Sequence, residues 1–215
     1  MEGAKAGAEV CSLTRIDTVI FDLGDVLIAW DPRNLYRKLI PDEAVMEDFL
    51  VRVCTAEWNA RQDAGRSLAD GTAELLAAFP QHETWIRAFY DRWPEMLGGV
   101  IEGTERHLRG LKASGYRVLA LTNWSAETFP LAQRLFPVLG EFEGIVVSGL
   151  EGLIKPDPAI YRLLCERYQV SPARAVFIDD NPRNVAAAAA LGMHGIRFTA
   201  PPQLGDELRS LGLVP

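Results

Sequence analysis

Short apolar runs recur along this chain, and most of them give way to a polar residue at their carboxyl end. TVIF, RVLAL, GIVVSG, AVFI and GIRF are of ordinary strand length, about five residues. Nearly unbroken apolar runs of this kind are typical of parallel strands covered on both faces. Between them the period changes, and GTERHLRGLKASG, AETFPLAQRLF, PDPAIYRLLCERY and NPRNVAAAAALG carry apolar residues at helical spacing. Strand and helix in alternation at this spacing predict right-handed crossover units, and so an α/β fold built on a doubly wound parallel sheet. Residues 18–23 are the expected central strand.

From Asp31 to about Pro94 the pattern is different. DPRNLYRKLI, DEAVMEDFLVRV, LADGTAELLAAF and ETWIRAFYDRW all read as helices, with no convincing strand among them. Residues 31–94 are therefore an expected helical insertion, ended where Pro94 stops its last helix. Residues 16–30 and 95–215 are the expected core. An insertion straight after the first strand is in position to act as a lid. Residues 1–15, with Gly and Ala and no sustained apolar period, read as a loose leader.

Composition narrows the class. Of the 215 residues, 48% are hydrophobic and 24% charged, close to the average for soluble globular proteins. The longest apolar stretches, such as VIFDLGDVLIAW, are broken by Asp or Gly well short of a membrane span, and no basic-then-apolar export signal opens the chain. Cys11, Cys54 and Cys165 are an odd number without CxxC spacing, which fits a reduced, cytoplasmic setting. A net charge of −7 repels a nucleic-acid backbone. It leaves a small phosphorylated metabolite open as a partner, because one cation and a few backbone amides reverse the local potential.

The chemistry-bearing residues stand just past three of the predicted strands: Asp22 after TVIF, Thr122 and Asn123 after RVLAL, and Asp179 and Asp180 after AVFI. In an open parallel sheet the ligand crevice lies beyond these carboxyl ends. Asp22 either hydrogen-bonds its own turn or attacks phosphorus to form an aspartyl-phosphate. Gly24 supplies permissive backbone for the sharp turn. Thr122 and Asn123 either close a turn or donate to two phosphate oxygens. Lys155, in GLIKPDP, is either a solvated loop lysine or a fixed positive charge over a transferring group. Asp179 and Asp180 repel each other unless a lysine or a metal ion neutralises them. Magnesium, which takes one or two protein carboxylates and fills its other positions with water and phosphate, suits that task. A helix N-cap ahead of Pro182 accounts for one of the two acids but not both.

In this order, FDLGDVLIAWDP, LTNWS, KPDPAIY and FIDDNPRNVAAA resemble the haloacid dehalogenase (HAD) superfamily over nearly the whole chain. The helical insertion is similar to that superfamily's C1 cap. The resemblance implies Asp22 as nucleophile and metal ligand, the Gly24 main-chain carbonyl as second ligand and Asp180 as third, with Asp179 behind them and Mg2+ as the ion. It implies Thr122 and Asn123 as phosphate-holding residues and Lys155 as the partner of nucleophile and phosphate. Asn181 and Asn184 carry a weaker implication, since either could cap the following helix.

One position departs from the pattern. Phosphatases of this superfamily usually carry a second aspartate two residues after the nucleophile, to protonate the leaving oxygen, and here that position is Gly24. General acid catalysis is typically worth about 10² to 10⁴ in rate, and Asp25, one residue late, should point elsewhere. The main expectation is a magnesium-dependent phosphatase favouring good leaving groups. A metal-independent 2-haloacid dehalogenase is the alternative, for which Asn123, Lys155, Tyr161 and Asn181 fall at comparable places, and a weakly catalytic phospholigand-binding protein is a third. Trp58, Asn59, Arg61 and Arg66 could touch substrate or pack helix surfaces, and packing is the expected role. Asp31 before Pro32 reads as an N-cap.

Overall fold

The computed structural model describes residues 15–213, so most of the predicted leader, Cys11 included, lies outside the described residues. Strand β1 (Thr18–Phe21) leads through a turn into β2 (Ile28–Trp30). Five helices follow: α1 (Arg33–Leu39), α2 (Glu43–Arg52), α3 (Ala56–Asp63), α4 (Leu68–Ala78) and α5 (Glu83–Asp91). Strand β3 (Leu97–Val100) brings the chain back, and then α6 (Glu102–Ala113), β4 (Arg117–Thr122), α7 (Phe129–Leu135), β5 (Gly144–Val147) and α8 (Ser148–Glu151) follow. The remainder is α9 (Pro158–Tyr168), β6 (Ala175–Asp179), α10 (Pro182–Ala190), β7 (His194–Arg197) and α11 (Pro201–Ser210).

Five strands form one parallel sheet in the order β5-β4-β1-β6-β7, with β1 at its centre. The alternation of side chains across each strand explains why the predicted runs are apolar throughout. Val19 and Phe21 enter one buried cluster with Val118, Ala120, Val176 and Ile178. Ile20 enters the opposite one with Leu119, Leu121 and Phe177. Both faces are covered, so neither parity tolerates a polar residue. The order reverses at β1, with β4 on one side and β6 on the other, which opens a crevice at the carboxyl ends of these three strands.

Helix starts in the insertion follow local chemistry. The Asp42 side chain accepts from the Val45 N–H, Thr55 from Trp58 and Ser67 from Asp70, each satisfying an N-terminal amide that has no helical partner. The pattern along the chain did not show α3, whose sequence AEWNARQD is mostly polar, nor the antiparallel ribbon of β2 and β3. These ribbon strands are short and LGGV holds two glycines, so no apolar alternation marks them. The ribbon encloses the insertion at its root, because the five helices lie between its two strands. The central strand is also shorter than the predicted residues 18–23: beyond Phe21 the chain turns, and the Leu23 carbonyl accepts from the amides of Leu27 and Ile28.

Candidate active site

Register brings the separated motifs together. Phe21 is paired with Ile178 on one side and Ala120 on the other, so the next residues, Asp22 and Asp179, stand level at the strand ends. One oxygen from each of Asp22, Asp179 and Asp180 lies within 4.8 Å of the others. Lys155 joins them from the loop before α9, its ammonium 2.9 Å from Asp22 Oδ1 and 2.7 Å from Asp179 Oδ2. This lysine is 3% exposed and also donates to the Leu121 carbonyl, so it is no solvated loop residue.

Burial and charge pull against each other here. Desolvation raises the pKa of Asp22 well above the usual carboxylate range and Asp179 adds to the rise, while Lys155 opposes it. Burial alone would depress Lys155, yet Asp22 and Asp179 more than offset this and hold it charged. Three carboxylates against one ammonium leave two negative charges when all are ionised. That donor set, all oxygen and acidic, fits a hard divalent cation.

The individual side chains are differently engaged. Both described contacts of the Asp22 carboxylate, from the Leu23 N–H at 2.7 Å and from Lys155, fall on Oδ1. Asp179 is fully buried and its oxygens are taken by Lys155, the Asn181 N–H and the Asn184 carboxamide. Asp180 is exposed. Thr122 is 1% exposed, and its hydroxyl has no partner among the described residues, an uncommon state for a buried polar group. Asn123 is tied to the lysine loop through its carboxamide. Nδ2 donates to the Lys155 carbonyl at 3.0 Å and Oδ1 accepts from the Lys155 N–H at 2.9 Å, so the side chain holds the lysine loop in place.

Other sequence candidates make contacts within the fold. Trp58 is buried, packs edge-on against Phe89 and donates to the Gly71 carbonyl, while Arg61 and Arg66 both pair with Glu74. The Tyr161 hydroxyl donates to the Asn184 carbonyl, and Asn181 caps α10 by accepting from the Arg183 N–H. Asp31 likewise accepts from the Arg33 N–H at the start of α1.

A cavity of about 170 Å³ adjoins the acidic cluster, lined from the core by Gly24, Asp25, Asn123, Trp124 and Asp180. The ribbon and insertion add Trp30, Trp93, Tyr90, Asn59 and Asp63. Asp25 takes a left-handed backbone, φ 54°, and accepts from the Trp30 N–H. Sequence reading missed Asp63 because it missed α3. The available signal was an acidic residue in the last turn of a helix, where the macrodipole disfavours negative charge, followed by the Ala-Gly that ends it.

Known proteins resemble this chain over most of its length. It is 28% identical to the sesquiterpene phosphatase AstK of Aspergillus oryzae over 198 residues, 92% of this chain and 97% of the relative. Of several other curated relatives, phosphatases and an (S)-2-haloacid dehalogenase among them, it spans 9% to 56% of the length. Its fold matches the crystal structure of a HAD family enzyme of Bacteroides thetaiotaomicron with a TM-score of 0.70, at 22% identity, covering 91% of this chain and 99% of that one. A complex of the same enzyme with magnesium and inorganic phosphate matches with a TM-score of 0.65, at 23% identity, over 86% and 95%. The family profile of haloacid dehalogenase-like hydrolases matches residues 16–192. With the five-stranded parallel sheet and the acid cluster at its carboxyl edge, this establishes that the chain belongs to the haloacid dehalogenase-like hydrolases.

Proposed function

We propose that the protein is a phosphatase for a small organic phosphate, acting through an aspartyl-phosphate on Asp22. The observation that carries this reading is the acid cluster. Oxygens of Asp22, Asp179 and Asp180 converge within 4.8 Å, and displacement of halide from carbon at Asp22 would give such a convergence no use. AstK is named a sesquiterpene phosphatase, and the Bacteroides enzyme was crystallised with magnesium and phosphate, which supports the same reading.

Asp22, the Gly24 carbonyl and Asp180 are the residues that would hold Mg2+. When bound, the ion supplies charge neutralisation for the phosphate and the carboxylates. The chain's own groups do the rest. With Oδ1 held by Leu23 and Lys155, Oδ2 of Asp22 is the oxygen available to attack phosphorus. Its bond to phosphorus forms as the ester P–O bond breaks, and water then attacks phosphorus to release phosphate and restore the carboxylate. The Lys155 ammonium opposes the burial that favours the neutral Asp22 carboxyl, and it places positive charge beside the transferring group. Thr122 brings a hydroxyl whose hydrogen-bonding capacity is unused among the described residues. Asn123 positions Lys155, and Asp179 orients it from behind.

The helical insertion serves as a lid that excludes bulk water during transfer. A cavity of about 150 Å³ holds benzene, so the space of about 170 Å³ suits a compact leaving group against the Trp30, Trp93 and Tyr90 side chains.

A panel of phosphate monoesters assayed with Mg2+, beside 2-chloropropionate, tests the reading. The expected result is ester hydrolysis that EDTA abolishes and excess Mg2+ restores. Halide release unaffected by EDTA, with no ester hydrolysis, would overturn it.

A further inference from the structure

We infer that Asp63 is the general acid and base for the leaving oxygen, the role for which Gly24 has no side chain. The inference rests on the phosphatase reading and adds a residue to it. Asp63 ends α3 and lines the same cavity as Gly24, Asn123 and Asp180, facing them from the insertion. Part of its surface stays open to that cavity.

Its position is fixed from several sides. Oδ2 accepts from Asn59 Nδ2 at 3.1 Å, and the Ser125 main-chain N–H donates to the carboxyl group. Asn59 is itself fixed, since its Oδ1 accepts from the Tyr90 hydroxyl, which in turn accepts from Gln62 Nε2. The Asp63 carbonyl accepts from Ser148 Oγ at 2.5 Å, so the end of α3 is seated on the core. A carboxylate has about four lone-pair sites, and these two donors leave capacity for a ligand.

Its charge environment differs from that of Asp22 and Asp179, which both pair with Lys155. Among the described residues no lysine or arginine pairs with Asp63. The groups around it are Tyr90 and Arg66 from the insertion, with Arg66 directed to Gln62 and Glu74, and Asp25 and Asp180 across the cavity. Burial pushes the carboxyl up to about 7, opposed by the Ser125 N–H. A carboxyl raised toward neutrality suits a group that must give and take a proton. An unpaired acid of raised pKa in a catalytic cleft is the physical signature of such a group. Asp25 is less suited, because it is exposed and its Oδ1 is spent on the Trp30 N–H.

The proton balance closes over one turnover. As Asp22 bonds to phosphorus and the ester P–O bond breaks, the Asp63 carboxylic acid gives its proton to the departing alkoxide, which leaves as the alcohol. Asp63, now ionised, takes a proton from water as the water oxygen bonds to phosphorus and the bond to Asp22 breaks. Phosphate leaves, and Asp63 is protonated again.

The test uses leaving groups of different basicity: 2-phenylethyl phosphate, whose alkoxide needs a proton, and p-nitrophenyl phosphate, whose phenolate does not. The Mg2+-loaded full-length protein is compared with D63N, G24D and D63N/G24D. The side chain that G24D introduces has room, since a Cβ at Gly24 meets nothing within 4 Å. D63N is expected to lose about 100-fold or more in kcat/KM on the alkyl ester, roughly tenfold beyond its loss on the aryl ester. G24D should restore much of the alkyl activity in the D63N background. Equal losses on both esters, or none, would overturn the inference while leaving the phosphatase reading intact; no turnover of either ester by the wild type would overturn both. Thermal melting checks the fold of D63N. Should that variant not fold, G24D alone decides: a small gain on the alkyl ester agrees with an acid already in place, whereas a gain of about 100-fold refutes it.

Discussion

At the scale of single residues, the site is a set of polar groups whose needs are met to different degrees. Asp179 has every oxygen occupied, Asn123 spends its carboxamide on Lys155, and the Thr122 hydroxyl has no partner among the described residues. An unsatisfied buried hydroxyl costs about 1–3 kcal/mol, so Thr122 is a burden on the fold that a ligand could relieve. Thr122→Val keeps the shape and removes the hydroxyl. Thermal melting should show an equal or higher Tm for this variant, while kcat/KM on phosphate esters falls by about 10² or more, the usual loss for a donor aimed at developing charge. A clear drop in Tm with activity retained would mean that the hydroxyl serves the fold. The motif residues were legible in the sequence because each follows an apolar strand. What Asn123 does was not, because its partner is a main chain 32 residues further on, and no local spacing reports that contact.

Among elements, the informative joint is the one between insertion and core. Ser148, fully buried at the start of α8, accepts from the Trp124 N–H at 2.9 Å and donates to the Asp63 carbonyl at 2.5 Å. One hydroxyl thereby connects the end of β5, the loop after β4 and the end of α3. Trp93 meets Trp124 edge-on close by, and the Glu127 carboxylate accepts from the Leu68 N–H at the start of α4. Ser148→Ala strands a buried donor and a buried acceptor, so the expected change in stability is opposite in sign to that of Thr122→Val. A loss of about 1–3 kcal/mol lowers Tm by roughly 2–4 °C per kcal/mol in a chain of this size. Calorimetry of the two variants side by side checks the contrast, and an unchanged Tm for Ser148→Ala would show the joint to be energetically idle. The helices of the insertion were readable where their apolar faces are strong, as in α5. The short polar α3 and the glycine-bearing ribbon were not, since both are held by neighbours distant in sequence, and so Asp63 stayed hidden.

Over the whole molecule, strand order turns a linear pattern into a centre of charge. The alternation of strands and helices was enough to foresee a parallel sheet, but the juxtaposition of Asp22 with Asp179 depends on β6 lying beside β1, which no single run encodes. The consequence is a protein of net charge −7 that places three carboxylates and one lysine at one edge of its sheet. In the unfolded chain these groups are far apart, so a divalent cation that bridges them binds the folded state alone and must stabilise it. At a free concentration of 100 times Kd the gain is about 2.7 kcal/mol, or a rise in Tm of roughly 5–10 °C at 2–4 °C per kcal/mol. Mg2+ should produce this rise in the wild type, and Asp180→Asn, which removes the exposed member of the cluster, should lose most of it. Sodium chloride at matched ionic strength separates site binding from screening, because screening acts on all acidic surfaces equally. If sodium gives the same rise as magnesium, or Asp180→Asn responds like the wild type, the cluster is not where the ion binds.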